Sequence, residues 1–491
     1  MRLVNAEIMR VIDEKTIDQE NITPGKLMLR AGKGVADAVE RLVRSHHLED
    51  ARIVMIAGVG NNGGDIFVAA RILREREYDL TVRLAGHVGS LKEPALSAYQ
   101  LAIKSKVPVT ICSNSSDWED IAEGDILVDG LLGTGFSGEL RGVIKKAVNW
   151  ATNCSKRMLI MAVDTPSAML VKSDITIALG LPKIECILPN NSDISGRIEV
   201  VDIGIPENLI QQYATEEVEL ITQSDIVTFF RERKRNAHKG TYGHTYCIGG
   251  SDGMSGAIIL AARAALKCGS GLVTTFVPEK IKNIVASSLP EVMVESTLTS
   301  RKIDSIVLGP GMGNLKETYE KVSSVLADAG PPTVLDADGL NVLSKKLDII
   351  RSSRSSIVIT PHPGEFAKLF GIGVAEVQSD RVALAKMAAA QLNVTCVLKG
   401  NQTVVAEPDG RVAINSTGNP GMATAGMGDV LAGIIGGFLA QGYSIFEAAC
   451  IGVWLHGHSG DLAAAEESES SLCASDVIVK LSEAFRSVSP R

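Results

Sequence analysis

The chain has 491 residues, of which 45% are hydrophobic and 22% are charged, and its formal net charge at neutral pH is −8. This length favours two to four domains, each large enough for a core of ordinary size. The acidic balance argues against a general binder of nucleic acids or anionic membranes.

Membrane and secretion signals are missing from the sequence. The most apolar helix candidate, at 430–440, is shorter than the roughly 20 residues that a membrane span needs. The first 16 residues, MRLVNAEIMRVIDEKT, contain no apolar segment of the signal-peptide type. The eight cysteines are scattered without a C-x-x-C pair, which favours neither a zinc site nor a disulfide framework. We therefore expect a soluble cytoplasmic protein.

Strand-like apolar runs alternate with helix candidates such as 66–76 and 143–149 in the first half of the chain. Several runs are apolar at every position, as is typical of strands buried on both faces. The alternation predicts an α/β fold, a Rossmann-like three-layer sandwich with a parallel sheet between helices. The predicted strands are 53–59, 80–85, 107–111, 126–129, 158–163 and 175–179.

The alternation stops near 205–243, where a mixed, partly helical connection is followed by a basic run and HKGTYG. A second α/β series then begins, so we place the domain boundary near 215–235. The predicted domains are residues 1–217 and 218–491. The predicted strands of the second domain are 245–248, 272–277, 305–308, 333–335, 357–360 and 394–398.

The loop GVGNNGGD, residues 58–65, follows the first predicted strand. It fits G-x-G-x-x-G, but the next strand does not end in the acid that a dinucleotide cofactor site needs. A hydride-transferring dehydrogenase is therefore disfavoured. Asn61, Asn62 and Asp65 instead suit a polar ligand or a hard cation bound through oxygens.

Two more predicted strands end in an aspartate. Asp129 leads into GLLGTGFSGELRG, and Asp164 leads into TPSA. A single aspartate in such a place is more often a turn or cap residue. Because ligands bind outside the carboxyl ends of parallel strands, however, the three loops together predict one shared crevice.

The motifs NNGGD, D-x-x-x-G-T-G and D-x-P-S, in this order and spacing, resemble the NAD(P)H-hydrate epimerase domain. That family interconverts the two C6 epimers of hydrated NADH or NADPH, in which water has added to the nicotinamide ring. The resemblance implies a catalytic Asp164 and a potassium ion held partly by Asn62, Asp129 and Ser167. The implied substrate contacts are Asn61, Asn62, Gly63, Gly64, Asp65, Gly133, Thr134, Gly135, Phe136, Ser137, Gly138, Glu139 and Asp164.

The chain departs from this family pattern at two places. Ile66 stands where the family usually carries glycine. After Ser167 the family continues with glycine and a loop of roughly ten residues, whereas Ala168 here leads almost at once to the next strand. A shortened loop beside Asp164 could open the site to water or remove a substrate contact.

In the second half, Gly426, Gly428 and Asp429 immediately precede a helix candidate at 430–439. Backbone N–H groups at a helix start attract phosphate, and an aspartate there would repel it. The placement is reasonable if Asp429 accepts a proton from a hydroxyl that then attacks the phosphate. The simpler interpretation is that Asp429 is an ordinary helix N-cap.

Five further motifs, HKGTYG, GGSDGMSGA, GPGMG, DADGLN and TPHPGE, precede GMGD in chain order. Together they resemble the NAD(P)HX dehydratase domain of the ribokinase-like superfamily over about residues 224–486. The resemblance implies ADP or ATP as co-substrate, magnesium, and a homo-oligomer. The implied hydrate contacts are Ala257, Gly313, His362 and Asp429, and the implied nucleotide contacts are Lys399, Gly400, Asn401, Gln402, Thr403 and Gly428.

The resulting hypothesis is that Asp429 deprotonates the C6 hydroxyl of the hydrate, which takes the terminal phosphoryl group of ADP. Phosphate then leaves, and NADH or NADPH is regenerated. A vitamin-precursor kinase shares the same anion site and is the nearest alternative, with the first half as a non-catalytic binding or assembly module. A hydrolase is a further alternative, because 249–253 fits G-x-S-x-G, with Ser251, Asp336 or Asp338, and His362 as a triad.

Overall fold

The computed structural model describes residues 1–20, 22–118, 124–136, 138–214, 218–297, 301–313 and 315–489. The chain forms two compact units, one of residues 2–216 and the other of residues 217–491 together with Met1. No helix within the described residues combines the length and apolarity that a membrane crossing requires.

The first unit is a doubly wound α/β fold. Its described residues form a seven-stranded sheet in the order β3-β2-β1-β4-β5-β6-β7, and the strand pairs are parallel. The strands are β1 Ile53–Ala57, β2 Leu80–Ala85, β3 Val109–Cys112, β4 Ile126–Gly130, β5 Leu159–Val163, β6 Ile175–Leu179 and β7 Arg197–Val201. The helices are α1 Ala6–Glu20, α2 Pro24–Ser45, α3 Asn61–Glu75, α4 Ala95–Lys104, α5 Gly142–Cys154, α6 Ile184–Ile187, α7 Pro189–Ser195 and α8 Glu207–Tyr213.

The order of strands explains where a ligand would bind in this unit. The chain moves outward from β1 in one direction through β2 and β3, and then returns to continue from β4 in the other direction. The loops after β1 and β4 therefore diverge and leave a crevice at the carboxyl edge. Strands β1, β4 and β6 are buried at every position, because helices cover both faces of the sheet.

The second unit contains a ten-stranded sheet among the described residues, in the order β11-β10-β9-β12-β13-β14-β15-β16-β17-β8. Its strands are β8 Val218–Ile221, β9 His244–Ile248, β10 Leu272–Phe276, β11 Met293–Glu295, β12 Ser305–Leu308, β13 Thr333–Leu335, β14 Ile357–Ile359, β15 Thr395–Leu398, β16 Val404–Ala406 and β17 Val412–Asn415. The helices are α9 Gln223–Phe229, α10 Ser255–Lys267, α11 Glu279–Ser288, α12 Lys316–Ala327, α13 Asp338–Asn341, α14 Leu347–Arg351, α15 Pro363–Phe370, α16 Val374–Ser379, α17 Arg381–Leu392, α18 Met427–Ala440, α19 Ile445–Glu466 and α20 Ala474–Val488.

Helix α18 is the centre of the second unit's core. Every residue from Val430 to Ala440 is buried, and the helix packs against α10, α19 and the sheet. A Cβ atom on Gly433 would lie 2.1 Å from the carbonyl oxygen of Ala261, so glycine lets α10 approach closely. The start of α18 is thus held firmly in place at the carboxyl edge of the sheet.

The predicted α/β class and the twelve predicted strands are confirmed, with bounds that shift by one or two residues. The connection near 205–243 also contains β8, which pairs parallel with β17 at the end of the sheet. Strands β7, β11, β16 and β17 were not predicted either, and β16 and β17 run antiparallel to their neighbours β15 and β16. These strands and β8 are three to five residues long, too short for a clear alternation of polar and apolar residues.

Candidate active sites

The loop after β1 places two asparagines at the first positions of α3. Gly60 is the N-cap and provides no side chain, so the first backbone N–H groups of the helix point outward without a helical acceptor. A Cβ atom on Gly63 would lie 1.9 Å from the carbonyl oxygen of Gly58. Glycine is therefore needed for the tight turn that brings Asn61 and Asn62 to the crevice.

The three residues predicted to hold potassium lie around the carboxyl ends of β1, β4 and β5. Ser167 donates to the Asp129 carboxylate through its backbone N–H at 2.9 Å and its hydroxyl at 2.6 Å. Nδ2 of Asn62 donates to the carbonyl oxygen of Val163 at 2.9 Å. A Cβ atom on Gly133 would lie 2.5 Å from Oδ1 of Asn62, so the loop after β4 passes against this amide.

Asp129 is fully buried, and burial raises its pKa even though the bonds from Ser167 act in the opposite direction. A buried carboxylate with a hydroxyl and an amide oxygen nearby is the hard-oxygen set that binds a cation such as potassium. A cation there would also stabilise the ionised carboxylate. The residues therefore fit the predicted ion.

Asp164 follows β5 in a left-handed conformation, with φ of 67°. Its carboxylate forms a buried ion pair with Lys183, whose ammonium also donates to the carbonyl oxygen of Leu179 at 3.0 Å. Lys183 is 1% exposed. It was not predicted as a site residue, because a single lysine after a strand is not a recognisable motif.

Two more carboxylates lie near this ion pair. Burial raises the pKa of Asp65 well above its ordinary value, and the charges of Asp164 and Asp13 add to the effect. Burial likewise raises the pKa of Asp13 to about 6. Asp13 comes from α1 and was not predicted, and its Oδ1 has no hydrogen-bond partner among the described residues. The cluster can therefore hold protons near neutral pH.

A cavity of about 940 Å³ joins these groups, and a second cavity of about 800 Å³ lies along the loop after β4. The first is lined by Asn61, Asn62, Asp65, Gly133, Thr134, Gly135, Phe136 and Asp164, together with Asp13 and Lys183. The second is lined by Gly133, Thr134, Phe136, Gly138 and Glu139. Gly63 and Gly64 are buried instead: a Cβ atom on Gly64 would lie 2.4 Å from Cε of Met28. Ser137 lies outside the described residues.

Both departures from the epimerase pattern have structural consequences. Ala168 has φ of 55° and ψ of 17°, a left-handed conformation that favours glycine over alanine. Ile66 occupies the space beside Gly130, where an added Cβ atom would lie 2.3 Å from Cγ1 of Ile66. The isoleucine is therefore accommodated by a glycine on the neighbouring strand.

In the second unit, α18 begins at Met427 with Gly426 as its N-cap, at φ of 92°. The first backbone bond of the helix joins Val430 N–H to the carbonyl oxygen of Gly426 at 3.1 Å. Asp429 is the third residue of the helix, so the interpretation of Asp429 as an N-cap is wrong. The N–H groups of Met427 and Gly428 have no acceptor within the helix, as an anion site requires.

Lys399 connects the acidic groups around this helix start. Its ammonium lies 2.7 Å from Oδ1 of Asp336 and 3.7 Å from Oε2 of Glu365. A Cβ atom on Gly428 would lie 3.1 Å from this ammonium, so the cation lies against the start of α18. Burial lowers the pKa of Lys399, but attraction to Asp336 and Glu365 outweighs burial, and the pKa is raised.

Asp429 has no ion-pair partner among the described residues within 4 Å. Burial raises its pKa to about 7, with a further increase from the negative charge of Asp336 and an opposing effect of Lys399. A carboxylate with this pKa exchanges protons readily at neutral pH. His456, which was not predicted, is half-buried near Lys399 and Met427, and loss of solvent around its ring lowers its pKa to about 4.

The other predicted dehydratase residues come from four elements. His362 is the N-cap of α15, and its Nδ1 accepts from Gly364 N–H at 3.0 Å, while the ring remains 57% exposed. Gly313 N–H donates to Asp338 at 2.8 Å. Ala257 lies in the first turn of α10. The residues Lys399, Gly400, Asn401, Gln402 and Thr403 form the turn after β15, where the Thr403 hydroxyl donates to Gly400 O at 2.9 Å.

Ser251, His362 and the aspartates do not form the triad that the hydrolase alternative requires. The Ser251 hydroxyl donates to the carbonyl oxygen of Gly311 at 2.9 Å, and Nδ1 of His362 accepts from the backbone of its own helix. Asp336 is bound to Lys399. The groups needed for an activated serine are thus engaged elsewhere.

Family comparisons agree with this geometry. The family described as NAD(P)H-hydrate dehydratase matches residues 245–482, and the family described as YjeF-related protein N-terminus matches residues 24–184. The bifunctional NAD(P)H-hydrate repair enzyme of Moorella thermoacetica is 35% identical over 97% of this chain and 95% of its own length. The ADP-dependent (S)-NAD(P)H-hydrate dehydratase of Neisseria meningitidis is 43% identical over 48% of this chain and 81% of its own.

Solved structures resemble the second unit. The crystal structure of the ADP/ATP-dependent NAD(P)H-hydrate dehydratase from Bacillus subtilis, co-crystallised with ATP and Mg²⁺, covers 55% of this chain and 99% of its own, with 32% identity and a TM-score of 0.51. A ribokinase-like superfamily protein from Enterococcus faecalis is 27% identical over 56% of this chain and 97% of its own, with a TM-score of 0.50.

A doubly wound unit with an acidic crevice, together with a ribokinase-like unit that holds a carboxylate at a helix start, defines a two-domain α/β enzyme. The chain belongs to the family of bifunctional NAD(P)H-hydrate repair enzymes. The predicted family resemblance is thereby confirmed for both halves of the chain.

Proposed function

We propose that this chain repairs hydrated NADH and NADPH in two reactions. Residues 1–217 interconvert the R and S epimers of the hydrate, and residues 218–491 dehydrate the S epimer with ADP, releasing AMP and phosphate. The observation that carries the proposal is the position of Asp429, a carboxylate with pKa of about 7 in the first turn of a helix whose N–H groups suit phosphate.

The dehydration begins with a proton transfer to Asp429 from the C6 hydroxyl of the hydrate. The C6 oxygen attacks the terminal phosphoryl group of ADP, and AMP leaves. The N–H groups of Met427 and Gly428, with the ammonium of Lys399, stabilise the charge that develops on the phosphoryl oxygens. The C6–O bond then breaks as the ring nitrogen donates its electron pair, and loss of a C5 proton restores NADH or NADPH.

Magnesium and the nucleotide are expected to bind together. The B. subtilis relative was crystallised with ATP and Mg²⁺, and the N. meningitidis relative is named as ADP-dependent. Magnesium bound with the nucleotide would neutralise part of the phosphate charge during the transfer. We assign nucleotide contacts to the turn of residues 399–403 and to Gly428, and hydrate contacts to Ala257, Gly313 and His362.

The epimerase reaction inverts C6, which carries both the hydroxyl and the ring nitrogen, so its C–O or C–N bond must open and re-form. The reaction therefore requires groups that give a proton to, and take one from, the C6 hydroxyl or the ring nitrogen. Asp164 lines the 940 Å³ cavity and is held in place by Lys183, so it is the proposed catalytic base and acid. The volume is within the range of small-molecule and cofactor sites. We assign potassium to Asn62, Asp129 and Ser167, where it would fix the loops after β1, β4 and β5. A cytoplasmic homo-oligomer stays a prediction.

The test supplies the full-length protein with the purified R hydrate of NADH, ADP and magnesium. Recovery of NADH at 340 nm faster than spontaneous epimerisation, with one AMP and one phosphate per NADH, is the expected result. A stable phosphorylated product without NADH would instead support the kinase alternative. Replacing potassium with lithium should lower the rate of NADH recovery from the R hydrate and leave the rate from the S hydrate unchanged. An unchanged rate from the R hydrate would contradict the potassium assignment.

A further inference from the structure

Arg381 is the first residue of α17, and only 1% of its surface is exposed. Its guanidinium lies behind the turn of residues 399–403. Nη1 donates to the carbonyl oxygen of Lys399 at 3.4 Å, and Nη2 donates to the carbonyl oxygens of Gln402, at 2.8 Å, and Asn401. Three carbonyl groups of one short turn are therefore directed at a single buried cation.

The charge of this guanidinium is not neutralised by an acidic side chain in the described part of the chain. The adjacent Asp380 instead caps α17 by accepting from Ala383 N–H at 2.9 Å. Burial lowers the pKa of Arg381 to about 10, so the side chain still carries a proton at neutral pH. Burying a cation with backbone carbonyls as its partners costs free energy. That the chain nevertheless buries Arg381 indicates that the orientation of these carbonyl groups matters.

Gly400 makes the approach of the guanidinium possible. Its φ is 145°, and a Cβ atom added to it would lie 2.0 Å from Nη1 of Arg381. Any side chain at position 400 would therefore push the guanidinium away from the turn. The Lys-Gly pair of this loop is thus structurally linked to an arginine about twenty positions earlier in the sequence.

Peptide geometry determines what the other side of the turn presents. In a planar trans peptide, the C=O of one residue and the N–H of the next point in opposite directions. With the carbonyls of Lys399, Asn401 and Gln402 directed at Arg381, the N–H groups of Gly400, Gln402 and Thr403 point away from it. Such a set of aligned donors suits an anionic or oxygen-rich ligand.

We propose that Arg381 is a positioning residue, which orients the turn of residues 399–403 so that the N–H groups of Gly400, Gln402 and Thr403 bind ADP. The inference rests on the proposed function, because that function places the nucleotide at this turn. It specifies that recognition depends on backbone donors and on a side chain that does not touch the nucleotide.

The test compares Arg381→Met, Arg381→Lys and Gly400→Ala in the full-length protein. We expect the KM for ADP to rise at least tenfold in Arg381→Met and Gly400→Ala, since several donors lose their orientation together. Arg381→Lys should give an intermediate value, because an ammonium can still bind some of the carbonyls. The KM for the S hydrate should change less than twofold, and calorimetric titration with ADP should reproduce the change in affinity.

A matched control separates positioning from general destabilisation. His244 is also buried in this unit, at the start of β9, where its ring bonds to Lys302 O at 2.9 Å and Thr274 Oγ1 at 2.7 Å. His244→Gln should lower the melting temperature and leave the KM for ADP unchanged. An ADP KM within twofold of wild type in folded Arg381→Lys and Gly400→Ala would overturn the inference, as would an equal rise in His244→Gln. Wild-type protein without ADP-dependent turnover would instead overturn the proposed function.

Discussion

The two units place similar groups at the carboxyl edge of a sheet but connect them differently. In the first unit, Lys183 forms an ion pair with Asp164, the proposed catalytic group itself. In the second unit, Lys399 binds Asp336 and Glu365, and no cation of the described residues forms an ion pair with Asp429. The lysine therefore pairs with the proposed catalytic carboxylate in the first site and with two neighbouring carboxylates in the second.

Burial raises the pKa of carboxyl groups in both units. In the second unit it raises the pKa of Asp429 to about 7 and also raises the pKa of Glu365. In the first unit it raises the pKa values of Asp13 and Asp65, near the Asp164–Lys183 pair, and of Asp129. Each site therefore contains more than one carboxyl group that ionises less readily than in water.

The largest expected effect comes from removing each proposed base in turn. Asp429→Asn should lower ADP-dependent dehydration by roughly 10²–10⁴-fold, because an amide does not accept the hydroxyl proton. Asp164→Asn should lower epimerisation by a similar factor. Each variant should retain the other activity, measured separately with purified R and S hydrates. More than about a tenth of wild-type turnover in Asp429→Ala would contradict the assignment of the base.

A smaller effect should appear in the pH dependence of dehydration. Asp429 acts when ionised, so kcat/KM for the hydrate should fall as the pH drops below about 7. Asp336→Asn removes the negative charge that most strongly raises this pKa and releases Lys399, so the acidic limb should move to lower pH. Asp338→Asn should move it in the same direction but less, because Asp338 contributes less to the shift.

The corresponding profile for epimerisation is the control for this comparison. It should be unaffected by Asp336→Asn, since that residue belongs to the other unit. If the acidic limb of the pH profile for dehydration does not move in Asp336→Asn, the group that titrates is not Asp429.

The smallest effect concerns the loop beside Asp164. Ala168 has a positive φ of 55°, which costs a non-glycine residue roughly 1 kcal/mol. Ala168→Gly should therefore stabilise the first unit by about 1 kcal/mol, or about 2–4 °C in thermal unfolding. Ala70→Gly, in the middle of α3, should have the opposite sign, because glycine is unfavourable within a helix. A loss of stability in Ala168→Gly would mean that the loop relaxes to another conformation.

Much of both sites follows from the sequence because it depends on local patterns. Apolar runs predicted the buried strands, and the rule for carboxyl ends brought the loops of Asn62, Asp129 and Asp164 together correctly. The glycines around Asp429 likewise predicted a helix start there, although the helix begins at Met427 rather than after Asp429. These features are encoded within short segments.

The remaining site residues come from distant segments without a pattern of their own. Asp13 is one acid among several in an N-terminal helix, and Arg381 resembles any other charged residue at a helix start. Burial of a charged side chain depends on what the fold places around it, so single-residue chemistry does not reveal it. For the same reason the sequence did not reveal Lys183, which follows β6 and lies close to Asp164 because β6 pairs with β5 in the sheet.

The contact between Ile66 and Gly130 has an evolutionary consequence. The two positions share one volume between a helix and a strand, so bulk gained at one must be given up at the other. A side chain as large as that of Ile66 is therefore accommodated only where position 130 carries no side chain. Among relatives, residue size at positions 66 and 130 should therefore covary, with a larger residue at one accompanied by a smaller residue at the other.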